Sequence, residues 1–512
     1  LFVCFVVTAH ATNMRAEQAN LQQIQELVLQ ASGHGDTTST DHYQEDYDSV
    51  EIWGATANYK WDMTDSLTFT SITNFAKQEK QQSLDVDSGP APQFIVANES
   101  EHTWWTQEFR FNGSSDRSKW VAGFYYLNID AEYIAGLTDT IGGFNVFGSS
   151  PPPFGAGPAP FGNPFLPPAD AGLISDLQTD SYSLFGQIDY DITDQLTGIF
   201  GLRIIQEEKE FSYTNRLYPN LDDRTVDVNQ APLAIQFPVP SFDFFPPFED
   251  STSDTLWSGK IGLNWTPNDD LLVYGTVNRG VKAGSFNAPL LTFLTPDQYG
   301  YDEEVLVAYE TGFKSTLFGG KARFNGAFYY YDYTNYQIFQ FIGTSGAVFN
   351  ADAEFYGIEL DIAANPFDDF DIMLGFSWID ATVEDVNVAL GLSRDVEPTF
   401  TPEYQASGLA RYTWPALLVG GDLALQMDFN YASEAFYNIN NFGTHEMDSY
   451  VVGNARLTWY HPNDKLEMQF FVNNLADEQY QNIGFELSTI CGCDERSYGR
   501  PRWFGGRIRY SF

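Results

Sequence analysis

Two thiols one residue apart, Cys491-Gly492-Cys493, and the adjacent pair His445-Glu446 are side chains whose types and spacing could do chemistry. A single intervening residue strains a disulfide between the two cysteines, and no histidine stands beside them to complete a zinc site. His445-Glu446 lacks the second histidine that a metal-binding His-Glu-x-x-His helix requires. Carboxylates gather at Asp85, Asp87, Asp222, Asp223, Asp302, Glu303 and Glu304. Such groups read first as a solvated face, and weak divalent-cation binding is the sharper alternative. No nucleophile elbow, phosphate-cradling glycine loop or calcium loop occurs. The expectation is therefore a protein that is not an enzyme, with no cofactor and no resident metal.

The elements that would position any site are strands. In 182–190, Tyr182, Leu184, Gly186, Ile188 and Tyr190 fall on one face and Ser183, Gln187 and Asp189 on the other, with Phe185 as the exception. Val305, Val307, Tyr309, Phe313 and Leu317 oppose Glu304, Glu310 and Lys314, and Leu466, Met468, Phe470 and Val472 oppose Glu467, Gln469 and Asn473. A period of two sustained this far marks strands with one apolar and one polar face. Short turns recur near Asp62–Ser66, Gly113–Ser118, Asp191–Asp194, Pro267–Asp270, Phe318–Lys321, Pro366–Phe370, Pro415–Gly421 and Pro462–Lys465. Between them lie long connections near 80–101, 134–178, 213–251, 283–302, 383–401, 433–447 and 476–496.

Short turns at one end and long loops at the other are the plan of a transmembrane β-barrel, here with roughly seventeen strands. Trp53, Tyr59, Trp61, Trp257, Trp265, Trp459 and Tyr460 near strand ends suit the aromatic girdles of such a barrel. A soluble sandwich or propeller uses shorter strands, commonly about five or six residues. No apolar run reaches the about 18 residues of a membrane helix. The chain has 512 residues, with 69 acidic against 26 basic side chains and a net charge of -43. That balance excludes nucleic acid as a partner, because such binding rests on Lys and Arg. The 43 Phe, 29 Tyr and 11 Trp argue for an ordered chain.

The last strand ends Gly505-Gly506-Arg507-Ile508-Arg509-Tyr510-Ser511-Phe512, with Ile508, Tyr510 and Phe512 on one face. This resembles the carboxyl-terminal signal by which bacterial outer-membrane proteins are assembled. Five further segments resemble the barrel of TonB-dependent receptors of Gram-negative bacteria. They are Tyr274 to Asn287 (YGTVNRGVKAGSFN), Tyr309 to Ser315 (YETGFKS), Asn350-Ala351 through Leu360, Val472 to Tyr480 (VNNLADEQY) and Gly499 to Gly505 (GRPRWFG). The resemblance runs over 50–512, read as the barrel domain, with 1–49 read as an extracellular loop containing a short helix near Ala16–Gln30.

Family barrels hold a plug domain inside about 22 strands. Neither a plug nor the first strands is recognisable here, so the expectation is an incomplete barrel from a longer receptor. The resemblance implies an outer-membrane receptor and transporter, driven by the TonB complex through the plug. It implies uptake of a scarce solute, by default a ferric-siderophore complex. Cobalamin, haem, an oligosaccharide or an aromatic compound are the other substrates, and a passive porin-like channel or an outer-membrane enzyme or adhesin the other classes. Implied partners are outer-membrane lipid and lipopolysaccharide, the barrel-assembly machinery and a small-molecule ligand. Arg279, Lys282, Asn287, Glu310 and Lys314 are the candidates for the substrate path, with lumen salt bridges as the plainer role for the charged ones. Asn473, Asn474 and Asp477 read as a structural strand end.

Overall fold

The structure is a computed structural model that describes residues 6–16, 47–85, 95–138, 170–218, 221, 247–290, 294, 296–342, 345–389, 391–463, 465–487 and 493–512. Its strands, in chain order, are β1 (Val6–Ala16), β2 (Tyr47–Thr64), β3 (Leu67–Asp85), β4 (Ile95–Ser115), β5 (Ser118–Thr138), β6 (Asp170–Thr193), β7 (Leu196–Tyr218), β8 (Phe248–Asn268) and β9 (Leu271–Lys282). There follow the short β10 (Ser285–Phe286) and β11 (Gly300–Tyr301), then β12 (Glu304–Leu317), β13 (Ala322–Ile342), β14 (Ser345–Ala364), β15 (Phe370–Ala389), β16 (Leu392–Val396), β17 (Tyr404–Leu418) and β18 (Gly421–Ala432). The chain ends with β19 (Ala435–Phe436), β20 (Glu446–Met447), β21 (Tyr450–Tyr460), β22 (Leu466–Asn473), β23 (Gln481–Leu487), β24 (Cys493–Tyr498) and β25 (Trp503–Tyr510).

Among the described residues nineteen strands form one sheet, and three two-stranded ribbons sit in the long loops. Each long strand pairs antiparallel with the next along the chain, skipping the ribbons and the short β16, which pairs with the end of β15: β9 meets β12, β15 meets β17, β18 meets β21 and β22 meets β25. Among the described residues no helix is long and apolar enough to cross a membrane. Antiparallel pairing satisfies the backbone within the sheet, which is what lipid demands.

The expected alternation holds. Tyr182, Leu184, Ile188 and Tyr190 are exposed on one face of β6, and Ile261, Leu263 and Trp265 on the same side of the sheet in β8. Large apolar side chains left exposed at every second position form the outer, lipid-facing wall. Trp61 and Trp265 stand on that wall beside the short turns. Toward the long loops a second aromatic belt carries polar tips. The Tyr126, Tyr330 and Tyr356 hydroxyls donate to Asp180 at 2.6 Å, Glu354 at 2.9 Å and Asp380 at 2.6 Å. The Trp378 indole N–H donates to Glu403 at 3.0 Å. Rings in the apolar layer with hydroxyls turned to carboxylates mark an interface between lipid and water.

Three expectations need correction. The stretch 1–49, expected to be loop and helix, contains β1, paired with β2 from Val6↔Asn58 to Ala16↔Asp48. The helix expected near Ala16–Gln30 lies outside the described residues save Ala16, which is in β1. The strands also run further than expected at the long-loop end, β3 reaching Asp85 and β4 beginning at Ile95. There both faces turn polar (Gln78, Gln81, Gln82, Ser83), so alternation vanishes while pairing continues. Tyr460, expected in the outer girdle, faces inward, where its hydroxyl accepts from Arg411 at 3.2 Å.

Burial concentrates where the loops fold back on the strand ends. One cluster gathers Leu137, Leu173, Phe211, Tyr213 and Leu290, and another gathers Ile338, Phe355, Val383, Val386 and Ile439.

Candidate functional site

The inner face of β9, β12, β13 and β14 is lined with phenols and carboxylates. The register sets Glu310 opposite Thr276 and Tyr329, so Tyr274, Glu310, Tyr329, Tyr331 and Tyr333 share the inward face with Gly357 and Glu359. The Tyr274 hydroxyl donates to Glu310 at 2.6 Å. The Tyr329 and Tyr331 rings lie 4.6 Å apart, and Tyr333 packs on Phe355 at 5.0 Å and on Tyr336 at 5.2 Å. Two glycines make the close packing of this wall feasible. A Cβ on Gly312 would stand 2.7 Å from the Tyr274 hydroxyl, and one on Gly357 would stand 2.4 Å from that of Tyr329. The wall offers ring faces for stacking beside hydroxyls and carboxylates for hydrogen bonds, the mixture that holds a bulky polar-aromatic solute.

Above the wall, the described residues between 283 and 303 fold into a strap rather than an open loop. β10 pairs with β11 through Ser285↔Tyr301 and Phe286↔Gly300. On one side the Phe286 ring stacks on Phe211 at 4.9 Å, nearly parallel, and Tyr299 stacks on Phe248 at 4.5 Å. Buried Lys209 pairs with Glu207 and donates to the Gly284 carbonyl at 2.8 Å. Gly284 is required there, since a Cβ would stand 2.4 Å from the Tyr301 carbonyl oxygen. On the other side Asn287 is 5% exposed and bonds β14 twice. Its Nδ2 donates to the Val348 carbonyl at 3.0 Å, and its Oδ1 accepts from the Val348 N–H at 2.8 Å. Gln337 adds bonds to the Ala283 and Asp302 carbonyls at 3.0 and 3.1 Å. The strap thus joins β7 and β8 to β14, crossing the inner side of β9, β12 and β13.

The structure separates the five candidate residues. Glu310 and Lys314 face inward as expected. Glu310 belongs to the tyrosine wall, whereas Lys314 sits near the short turns with Arg323, Asp194 and Asp270 around an open cavity of about 730 Å³. Lys282 is exposed on the inward side at the end of β9, opposite Glu304. Arg279 is on the outer wall, a correction that follows from parity, since 279 and 282 cannot share a face of one strand. Its guanidinium lies 4.2 Å over the Trp257 ring and donates to the Trp257 carbonyl. Asn287 acts as a clamp, its amide bonded to backbone partners that include the Gln298 carbonyl at 3.1 Å. Sequence reading missed Tyr329, Tyr331 and Lys209. In Phe328-Tyr329-Tyr330-Tyr331 every position is aromatic, so the inward pair carries no periodic signal.

The expected strand end at Asn474 is structural. Asn474 and Asp477 hold positive φ of 54° and 60°. Asn474 donates to the Glu478 and Arg500 carbonyls and accepts from the Glu478 N–H, while Asp477 accepts from the Arg502 N–H at 2.7 Å. Ile508 and Tyr510 stand on the outer wall, 71% and 55% exposed, and Phe512 ends the chain fully exposed. Cys491 lies outside the described residues. Among the described residues no group of three or more His, Cys, Asp or Glu side chains could hold a metal ion. Near the long-loop end, partial desolvation raises the Glu397 carboxyl above its ordinary value, and repulsion from Glu403, Glu434, Glu446 and Asp380 adds to it.

The TonB dependent receptor-like β-barrel family model matches residues 11–475. Among solved structures, the ferric yersiniabactin uptake receptor FyuA from Yersinia pestis superposes with a TM-score of 0.70 at 15% identity, over 92% of this chain and 62% of that one. The ferric-catecholate import receptor Fiu from E. coli K12 gives 0.65 at 14%, over 99% of this chain and 71% of that one. The copper transporter OprC gives 0.63 at 12%, over 92% and 67%. This chain therefore spans about three-fifths of the length of the first of these relatives, 62%. At such identities the likeness shows the fold, and the family match over most of the sequence shows kinship: the chain belongs to the TonB-dependent receptor β-barrel family, proteins of the Gram-negative outer membrane.

Proposed function

We propose that this barrel belongs to a receptor that captures a scarce solute at the cell surface and imports it with energy from the TonB complex. The substrate class is a ferric-siderophore complex. The observation that carries the reading is the inward tyrosine wall, Tyr274, Tyr329, Tyr331 and Tyr333 with Glu310, roofed by the strap that Asn287 pins to β14. A metal chelate with a planar aromatic periphery presents faces for those rings and hydroxyls for the carboxylates. The chain's net charge of -43 disfavours a bare polyanion. Receptors of similar fold named for ferric yersiniabactin and ferric catecholate support iron, and the copper transporter keeps another metal chelate as the second reading.

The test is quenching of intrinsic fluorescence on titration with a ferric catecholate chelate. Saturable binding that weakens at least tenfold in Tyr329→Ala/Tyr331→Ala, with the barrel still folded, is the expected result. Equal binding by the double variant would remove the wall from recognition. The reading assigns the protein no catalytic step.

A further inference from the structure

Arg279 occupies a place where a charge is costly. It faces lipid on β9, and an arginine on the lipid face of such a barrel costs about 2–4 kcal/mol at the bilayer midplane, falling to about 0–1 near the interfaces. Its height is that of the interface. It lies three residues before the end of β9 at Lys282, and its partner Trp257 belongs to the belt of rings toward the long loops. Gly259, directly opposite Arg279, leaves room for the Trp257 ring, whose Cζ3 would stand 3.4 Å from a Cβ there. The ring and the Trp257 carbonyl fix the guanidinium flat against the wall. Among the described residues Arg279 forms no ion pair, in a chain with 69 acidic and 26 basic side chains. A guanidinium has five N–H donors, and most of this fork remains for an outside acceptor.

Directly beneath it on the same face runs a groove. Val277, the next outward residue of β9, and Ile261 opposite it line the groove with Leu263, Phe200, Tyr309 and Phe328, enclosing about 790 Å³. We propose that this part of the outer wall binds a phosphate-bearing lipid of the outer leaflet, its phosphate on Arg279 and its acyl chains in the groove. Charge complementarity selects that occupant. A planar fork engages phosphate in a bidentate manner, and an apolar trough leading into the bilayer accepts chains, which neither a soluble anion nor a neutral lipid would use together. The proposal rests on outer-membrane location and does not depend on the uptake reading.

The experiment measures retention of diphosphoryl lipid A by the detergent-purified protein through native mass spectrometry, with no transport ligand present. Dephosphorylated lipid A and inorganic phosphate serve as comparison probes. Arg279→Gln, running as a folded barrel on unheated gels, should retain at least fivefold less diphosphoryl lipid A, and Arg279→Lys an intermediate amount. Ile261→Asn should weaken retention as well. The dephosphorylated lipid should bind weakly and equally to the parent protein and Arg279→Gln. Undiminished retention by Arg279→Gln overturns the proposal, and so does displacement of the lipid by equimolar inorganic phosphate, which would leave an anion site alone.

Discussion

The side chain of Asn287 pairs with the backbone of Val348 as a neighbouring strand would, donating to its carbonyl at 3.0 Å and accepting from its N–H at 2.8 Å. One amide thereby fastens a strap that begins at the end of β9 to the inner side of β14. Because Asn287 is buried, both bonds are shielded from competition by water, and losing them leaves backbone groups unsatisfied at about 1–3 kcal/mol. Asn287→Ala should raise amide exchange across 285–290 and 296–301 by tenfold or more while β12 and β13 keep their protection. Asn287→Asp, which keeps an acceptor but loses the donors, should fall between. Unchanged strap protection in Asn287→Ala would show that Phe286 and Tyr299 hold the strap unaided.

Lys209 is the opposing anchor. The residue is 8% exposed, and its ammonium is shared between Glu207 and the Gly284 carbonyl. Lys209→Met leaves Glu207 without its counter-charge beside a buried carbonyl, an arrangement that costs about 3–5 kcal/mol when one partner of a buried pair is removed. The double variant Lys209→Met/Glu207→Gln should recover most of that loss. Thermal unfolding of the purified protein in detergent gives the comparison, and equal melting of single and double variants would deny the pair its role.

The glycines under the tyrosine wall offer a subtler probe than removal of the rings. Gly357→Ala sets a methyl 2.4 Å from both the Tyr329 hydroxyl and the Trp378 carbonyl oxygen, so the Tyr329 ring must move and the β14–β15 backbone must yield. Ligand affinity should fall by at least fivefold, and the barrel should melt at a lower temperature because the Trp378 carbonyl belongs to the backbone and cannot swing aside as a ring can. Gly280, whose added Cβ meets nothing within 4 Å, is the control and should leave binding unchanged as alanine.

Glu397 makes the loops at the long-loop end sensitive to pH. Its carboxyl holds a proton more tightly in the folded protein than in an unfolded chain, so its contribution to local stability is full below the ordinary carboxylate pKa. That contribution is lost as pH rises through the raised folded value. The side chain still reaches solvent, which keeps the effect small. The segment is tied to Asn441, which accepts from the Glu397 N–H at 2.6 Å and donates to its carbonyl at 3.0 Å. Exchange of the 397–403 and 438–446 amides, corrected for intrinsic rates, should be slower at pH 4.5 than at pH 7.5, and Glu397→Gln should flatten the difference. A parent protein without that difference would remove Glu397 from the balance.

Much of the barrel was legible because the lipid-facing residues announce themselves. Leu184, Ile188 and Tyr190, or Met468 and Phe470, recur at every second position, and the register follows once the short turns are placed. The long-loop ends were not legible, since above the aromatic belt neither face meets lipid and Gln81 or Ser83 serves as well as any apolar residue. The site was half legible. The segment from Lys282 to Asn287 stood out, yet its role could not be read, because Lys209, Phe211 and Val348, which explain it, lie far away in sequence. Arg279 is different: parity with Lys282 already placed one of the two outside.

Energised uptake through a ligand-binding barrel can be read from the accumulation of radioactive iron supplied as a ferric catecholate chelate. Cells producing the protein would be compared before and after collapse of the inner-membrane proton gradient. The account predicts accumulation that saturates with chelate and falls at least tenfold when the gradient is lost or when Tyr329 and Tyr331 are both alanine. Accumulation that rises linearly with chelate and survives collapse of the gradient would contradict it and make the barrel a passive channel.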